Sequence, residues 1–197
     1  MNNEYNFINE NSYSIEIKKS KFISRSFIVS DENECKYIIE KIKKKFHDAR
    51  HNVYAFSLLN GISRSSDDGE PSGTAGVQVL KVLNNFNLKN NLIIVTRYFG
   101  GILLGTGGLS RAYFSCSKGL VENSKILTNY VMKKFKAMVD YKEYNKILNS
   151  NEFIIDNVSF NEKVSIIFSV KKNESDCFKD KLENFLSRNV DLQTYKF

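Results

Sequence analysis

The sequence is poor in the residues that mark exported, membrane-spanning or metal-binding proteins. Its 197 residues include no tryptophan, one proline and three widely spaced cysteines, Cys35, Cys116 and Cys177. These cysteines provide neither a disulfide framework nor a CxxC zinc site, so we expect reduced thiols in a cytoplasmic protein. No run approaches the roughly 20 apolar residues of a membrane-spanning helix, and the N-terminal residues lack the apolar stretch of a signal peptide. We therefore expect neither export nor a membrane partner.

Histidine is equally scarce. His47 and His51 lie four residues apart and could share one helical face, but no further His or Cys is available as a third metal ligand. We therefore expect no histidine-based metal site. His51 is a candidate base, and the alternative is a packed or hydrogen-bonded histidine. Catalytic residues are otherwise unassigned.

Positive charge is in moderate excess. The chain carries 29 Lys and Arg against 22 Asp and Glu, a net charge of +7. The first 120 residues hold 16 basic and 11 acidic residues, so most of the excess lies there. This charge favours an anionic partner such as nucleic acid, or equally a solvated lysine-rich surface.

The glycines are concentrated in one part of the chain. All ten glycines and the single proline lie between residues 61 and 119. Glycine clusters supply positive-φ turns or allow a ligand to approach the backbone closely. We therefore expect the functional loops in this segment.

Hydrophobic periodicity predicts two α+β domains, residues 1–124 and 125–197. In the first, we expect a hairpin over residues 13–29, a helix over 31–46 capped by Ser30 or Asp31, a strand over 52–59, a loop over 63–74, a helix over 75–84, a buried strand over 92–98 and a further helix over 107–122. In the second, we expect strands over 125–139, 153–159, 164–170 and 190–195 and helices over 142–150 and 175–188. This β-α-β-β-α-β order is ferredoxin-like.

A glycine-rich segment, residues 96–113, predicts an anion site. A buried strand ends at Arg97, a glycine loop follows, and a helix starts near Gly107, so free backbone N–H groups meet the positive end of the helix dipole. Arg97 and Arg111 could add bidentate phosphate contacts, and Tyr98, Phe99 and Tyr113 could stack on bases. The alternative is a tight strand-to-helix turn with aromatics in the core. The candidate binding residues are Arg97, Tyr98, Gly100, Gly101, Gly105, Gly107, Gly108 and Arg111.

An acidic segment lies upstream of this loop. Asp67, Asp68 and Glu70 could hold Mg²⁺ through carboxylates and waters, with help from nearby hydroxyls. Alternatively, these carboxylates accept backbone N–H bonds in a turn, or pair with Arg64, Arg97 or Arg111. We favour the structural alternative because no nucleophile–base pair accompanies the cluster. We therefore expect no cofactor, and Mg²⁺ is the one alternative considered.

Three motifs, residues 48–55, 66–76 and 96–113, resemble those of the family of bacterial YigZ and eukaryotic IMPACT proteins. The resemblance extends from about Ser20 to Leu120, and residues 128–197 resemble the small C-terminal domain of bacterial members. Gln78 departs from the pattern, since a proline is expected there. The resemblance implies a first domain with the left-handed βαβ fold of a small-subunit ribosomal protein, and an overall similarity to the two C-terminal domains of elongation factor G. The second domain would then resemble domain V of that factor.

Three functions follow as hypotheses. The first is a non-enzymatic, translation-associated regulator that binds RNA or the ribosome, as the charge, the glycine loop and the resemblance suggest. The second is a Mg²⁺-dependent enzyme acting on a phosphorylated small molecule, and the third is a regulator that binds a protein partner. The absence of a Walker-type lysine motif, a G-x-S-x-G elbow and an HExxH site makes an enzyme less favoured. The natural ligand and the oligomeric state stay open.

Overall fold

The computed structural model describes residues 4–195, which form two compact units, residues 5–129 and residues 130–195 together with Glu4. The division thus falls five residues after the expected boundary at 124. The first unit holds, almost entirely, the elements β1 Glu4–Ile8, β2 Asn11–Ile17, β3 Ser20–Ile28, α1 Glu32–Lys45, β4 His51–Ser57, β5 Ser63–Ser66, α2 Gly76–Asn85, β6 Asn91–Tyr98, α3 Gly105–Glu122 and β7 Ile126–Tyr130.

A five-stranded sheet with helices on both faces forms the core of the first unit. Its strand order is β2-β3-β6-β4-β5, and β6 pairs with both β3 and β4 in antiparallel register. Alternate residues of β6 pack into two cores: Ile93 and Val95 join the core of α2 and α3, whereas Leu92 and Ile94 join that of α1. The predicted buried strand is confirmed, and its last residues reach the glycine loop.

The cap of α1 is also as predicted. The Asp31 carboxylate accepts hydrogen bonds from the backbone N–H groups of Asn33 and Glu34, at 2.8 and 2.9 Å. Lysines occupy the last turn of this helix, where positive charge complements the helix dipole.

Two sequence predictions in this region were wrong. Residues 63–66, expected in a loop, form β5, because their backbone pairs with the buried edge of β4 despite a polar sequence. The long strand expected over 125–139 is two strands. The first is β7, which pairs with β1, a strand that was not predicted, and the second is β8, Met132–Val139, which belongs to the second unit. Helix α3 also starts at Gly105, two residues before the expected position.

The second unit has the predicted β-α-β-β-α-β order. Its elements are β8 Met132–Val139, α4 Tyr141–Ser150, β9 Ile155–Phe160, β10 Val164–Lys171, α5 Phe178–Leu186 and β11 Leu192–Tyr195. The sheet order is β11-β8-β10-β9, all antiparallel, as expected of a ferredoxin-like arrangement. Phe135, Phe168 and Phe178 lie in the core. Within residues 4–195, no helix is long and apolar enough to cross a membrane.

Candidate anion-binding cleft

A cleft of about 480 Å³ lies at the N-terminal end of α3 in the first unit. Four segments meet there: the start of β4, the turn after Asp68, the end of β6 with the glycine loop, and the first turn of α3. Its lining residues are Arg50, His51, Gly69, Glu70, Pro71, Arg97, Phe99, Leu103, Leu104, Gly105, Thr106 and Leu109.

A buried carboxylate, Glu70, organises the floor of the cleft. Its Oε1 accepts hydrogen bonds from Arg97 Nη1 at 2.6 Å and from the Tyr113 hydroxyl at 2.7 Å. Its Oε2 lies 3.8 Å from His51 Nε2. Burial, followed by the charge of Glu70, raises the pKa of Tyr113, so this hydroxyl remains a donor. Glu70 therefore pairs with Arg97 in one of the arrangements expected from the sequence.

Asp67 has a different partner, the N-terminus of α2. The preceding residue, Ala75, provides no side-chain cap. Instead, the Asp67 carboxylate accepts hydrogen bonds from the N–H groups of Gly73, Ala75 and Gly76, at 2.8, 2.9 and 2.7 Å. Burial alone would raise the pKa of Asp67, but these three donors outweigh burial and hold it below its ordinary value. Asp67 thus caps a helix that starts nine residues later.

Because of this cap, we expect the stability of the folded chain to depend on pH. Because the Asp67 pKa is lower in the folded than in the unfolded chain, its stabilisation is complete above the ordinary value of 3.8 and is lost as pH falls further. We expect Asp67→Asn to lower the free energy of unfolding by about 1–3 kcal/mol at pH 7. Urea unfolding at pH 7 and in acid measures the difference, which should shrink in acid. The exposed Asp191→Asn is the control, and a pH-independent loss for Asp67→Asn would contradict the charged cap.

Asp68 fixes the orientation of His51. Its carboxylate accepts from the N–H of Asn52 at 2.7 Å and pairs with Lys43. Its carbonyl oxygen lies 2.8 Å from His51 Nδ1, and a carbonyl can only accept, so Nδ1 carries a proton. Asp68 holds a left-handed backbone conformation with φ of 45°, which is uncommon outside glycine. The second ring nitrogen, Nε2, is consequently the one beside Glu70.

The three carboxylates of the acidic segment therefore do not converge on a magnesium ion. Asp67 binds backbone, Asp68 binds Lys43 and Asn52, and Glu70 binds Arg97. Across residues 4–195, no three His, Cys, Asp or Glu side chains are grouped so that they could hold a metal ion. Arg64, a further partner considered for this segment, pairs instead with Glu32 at 2.9 Å.

The N-terminus of α3 opens onto the cleft. Leu104 precedes the helix and provides no side-chain cap. Since Leu104, Gly105 and Thr106 all line the cleft, the first N–H groups of the helix are available to a ligand there. Gly107 and Gly108 complete this first turn.

The glycines of the loop have distinct structural tasks. Gly100 packs against the backbone of Lys19 and Ser20 so closely that a Cβ would overlap it, and its N–H donates to Ser20 Oγ at 3.1 Å. Gly101 and Gly105 adopt positive φ values of 84° and 69°. Gly100 therefore serves the tight strand-to-helix connection, whereas Gly105 begins the open helix end.

The structure separates the two predicted arginines. Arg97 is 5% exposed and lines the cleft, and among residues 4–195 its Nε has no hydrogen-bond partner. Arg111 is exposed on α3, where its Nη1 would lie 3.5 Å from a Cβ on Gly107, and it does not line the cleft. Of the two arginines, only Arg97 therefore belongs to the lining of the cleft.

The predicted aromatic residues also differ in position. Tyr113 is fully buried and packs edge-on against Phe22, with ring centroids 5.2 Å apart, so for this residue the alternative of packing in the core applies and its ring is not free to stack on a base. The Tyr98 hydroxyl donates to Asp48 at 3.3 Å, and burial, followed by Asp48, raises the Tyr98 pKa. Phe99 is 47% exposed and lines the cleft.

Arg50 was missed as a site residue. It is exposed, lines the cleft, and donates its backbone N–H to the carbonyl of Arg97 at 2.9 Å. Pairing of β4 with β6 places His51 opposite Arg97, so Arg50 lies at the same end of the sheet as the glycine loop. Its position within the motif of residues 48–55 was the signal that could have identified it.

These features define a two-unit α+β protein with a helix-end cleft built over a buried Glu–Arg–Tyr cluster. Residues 18–121 match the family described as the Impact N-terminal domain. The chain belongs to the IMPACT family. It is 37% identical over 187 residues to the IMPACT family member YvyE of Bacillus subtilis, covering 92% of this chain and 86% of that protein. An IMPACT family member of Haemophilus influenzae is 31% identical over 191 residues, with 90% of each chain covered.

A solved structure shares the fold over the whole chain. It is a crystal structure of a hypothetical protein, 25% identical, with a TM-score of 0.67, and the match covers 100% of this chain and 99% of the other. The two-domain α+β architecture is therefore also found in an experimentally determined structure.

Proposed function

We propose that this chain is a cytoplasmic, translation-associated protein that binds RNA through the cleft at the N-terminus of α3. One observation carries the proposal: an uncapped helix end opens onto a cleft that also holds Arg50 and the buried Arg97. Backbone N–H groups at a helix N-terminus and arginine side chains are the groups that bind phosphate in proteins. The family resemblance implies a fold shared with translation factors and a ribosomal protein, which favours RNA as the source of that phosphate.

The charge balance of the cleft makes Arg50 the main source of long-range electrostatic attraction for an anion. Arg97 is paired with Glu70, whose carboxylate offsets its positive charge. Arg50 is exposed and lies at the rim, so it supplies the net positive charge of the lining in addition to the helix end. An incoming phosphate would meet Arg50 before the buried groups.

RNA binding should show the salt dependence of phosphate contacts. We expect the logarithm of the affinity for a short single-stranded RNA to fall linearly with the logarithm of salt concentration, with a slope of about −0.7 for each phosphate neutralised. Arg50→Ala should weaken binding about tenfold at low salt and flatten this slope. Fluorescence anisotropy on the full chain measures both quantities.

The matched control is Lys118→Ala. It also removes one positive charge from the first unit, but Lys118 pairs with Glu122 on α3, thirteen residues after Gly105 and so about 20 Å along the helix. Its effect on RNA affinity should be small. Equal losses for the two variants, or no RNA binding by the wild-type chain at low salt, would contradict binding at the cleft.

A further inference from the structure

We propose that the cleft accommodates one terminal nucleotide, with its phosphate at the N-terminus of α3 and its base against the apolar wall formed by Phe99 and Leu103. This inference rests on the proposed function and specifies the ligand of the same site. A volume of about 480 Å³ is that of a small-molecule pocket and exceeds what a phosphate alone would fill. We therefore expect a ligand that carries a larger group in addition to its anionic group.

The phosphate end of the cleft has two independent features. The helix end is uncapped, as described above. The Arg97 side chain is 6% exposed, yet its Nε donor is unpartnered within the described part of the chain. A buried donor without an acceptor is unfavourable. Arg97 also lines the cleft, so an anion that enters the cleft would supply this acceptor after a small movement of the Arg97 side chain. Phosphate oxygens at this position would satisfy both features.

Another part of the cleft lining is apolar and open to solvent. Phe99 is 47% exposed and Leu103 is 82% exposed, although both are large hydrophobic side chains. Pro71, Leu104 and Leu109 extend the apolar lining. Any nucleic-acid base can stack on an aromatic ring, so such contacts suit a protein that binds single strands of any sequence.

The two ends are adjacent. The Arg97 guanidinium lies 5.6 Å from the centroid of the Phe99 ring. A ligand that contacts both must carry its anionic group and its flat apolar group close together, as one nucleotide does. Because Arg97 is buried, the phosphate has to enter the cleft, which favours a terminal phosphate over one flanked by nucleotides on both sides.

Calorimetric titration of the full chain with adenosine monophosphate tests this inference. Ribose phosphate, adenosine and inorganic phosphate serve as the comparison ligands. We expect adenosine monophosphate, with its phosphate on the ribose 5′ carbon, to bind at least tenfold more tightly than each of them. Phe99→Ala should reduce the affinity for the nucleotide about tenfold and leave that for ribose phosphate unchanged, whereas Arg50→Ala should reduce both. Phe160→Ala, which truncates a phenylalanine 55% exposed in the second unit, is the matched control.

The outcomes separate this inference from the proposed function. If RNA binding depends on Arg50 but the nucleotide does not bind, or binds no better than ribose phosphate, the terminal-nucleotide site is overturned and RNA binding stands. An unchanged nucleotide affinity in a folded Phe99→Ala variant also overturns it. If the nucleotide binds with the expected dependence on Phe99 and RNA does not bind, the nucleotide site is supported and the RNA function fails.

Discussion

Replacing Glu70 by alanine is expected to lower the free energy of unfolding by about 3–5 kcal/mol, because it leaves the Arg97 guanidinium charged, buried and without its carboxylate. The Glu70 side chain is 3% exposed and that of Arg97 is 6% exposed, so water cannot replace the lost partner without a rearrangement. The Tyr113 hydroxyl loses its acceptor in the same change. Chemical denaturation of the full chain measures the loss.

Two further variants test this explanation. Glu122→Ala removes a glutamate of the same unit whose ion pair with Lys118 is about half exposed on both sides, and we expect a change of less than about 1 kcal/mol. Glu70→Gln keeps an acceptor but removes the charge, so its effect should lie between those of the two alanine variants. A Glu70→Ala chain as stable as Glu122→Ala would show that the buried cluster does not stabilise the fold.

Replacing Gly100 by alanine should lower the free energy of unfolding by a similar amount. A Cβ on Gly100 would overlap backbone atoms of Lys19 and Ser20, and backbone cannot move aside as the end of a flexible side chain can. We expect a loss of about 3 kcal/mol or more, or failure to fold, since overpacking against a rigid neighbour displaces the chain. Thermal and urea unfolding of the variant measure this effect.

Gly107→Ala is the matched control in the same segment. A Cβ there would meet only the end of the Arg111 side chain at 3.5 Å, and position 107 lies within α3. Because alanine favours helix more than glycine does, we expect this variant to be as stable as the wild type or more stable, by up to about 1 kcal/mol. Comparable losses at positions 100 and 107 would contradict the close packing at Gly100.

Features determined by nearby residues were predictable from the sequence. The Asp31 cap, the two-faced burial of β6 and the β-α-β-β-α-β order of the second unit follow from side-chain type and periodicity. Pairings between distant segments were not predictable in this way. Strand β1 pairs with β7, more than a hundred residues later, and no local pattern in residues 4–8 specifies that partner.

The same distinction applies to the cleft. The sequence identified Arg97, Glu70 and the glycine loop, but the division of Asp67, Asp68 and Glu70 among backbone, lysine and arginine depends on how the turn folds over the sheet. The position of Arg111 could have been deduced. Tyr113 belongs to the apolar face of α3, and Arg111 lies two residues earlier, about 200° around the helix, and hence faces solvent.

Titration of the isotope-labelled chain with a short RNA carrying a terminal phosphate, followed by nuclear magnetic resonance, tests most directly whether the N-terminus of α3 binds phosphate. We expect the largest shifts at the backbone amides of Gly105, Thr106 and Gly107, which precede the first hydrogen bond within α3, and at the Arg97 Nε–H, which is unpartnered within residues 4–195. The same RNA without the terminal phosphate should shift them less. RNA binding that leaves these four N–H groups unshifted, with changes only in the second unit, would contradict phosphate binding at the cleft.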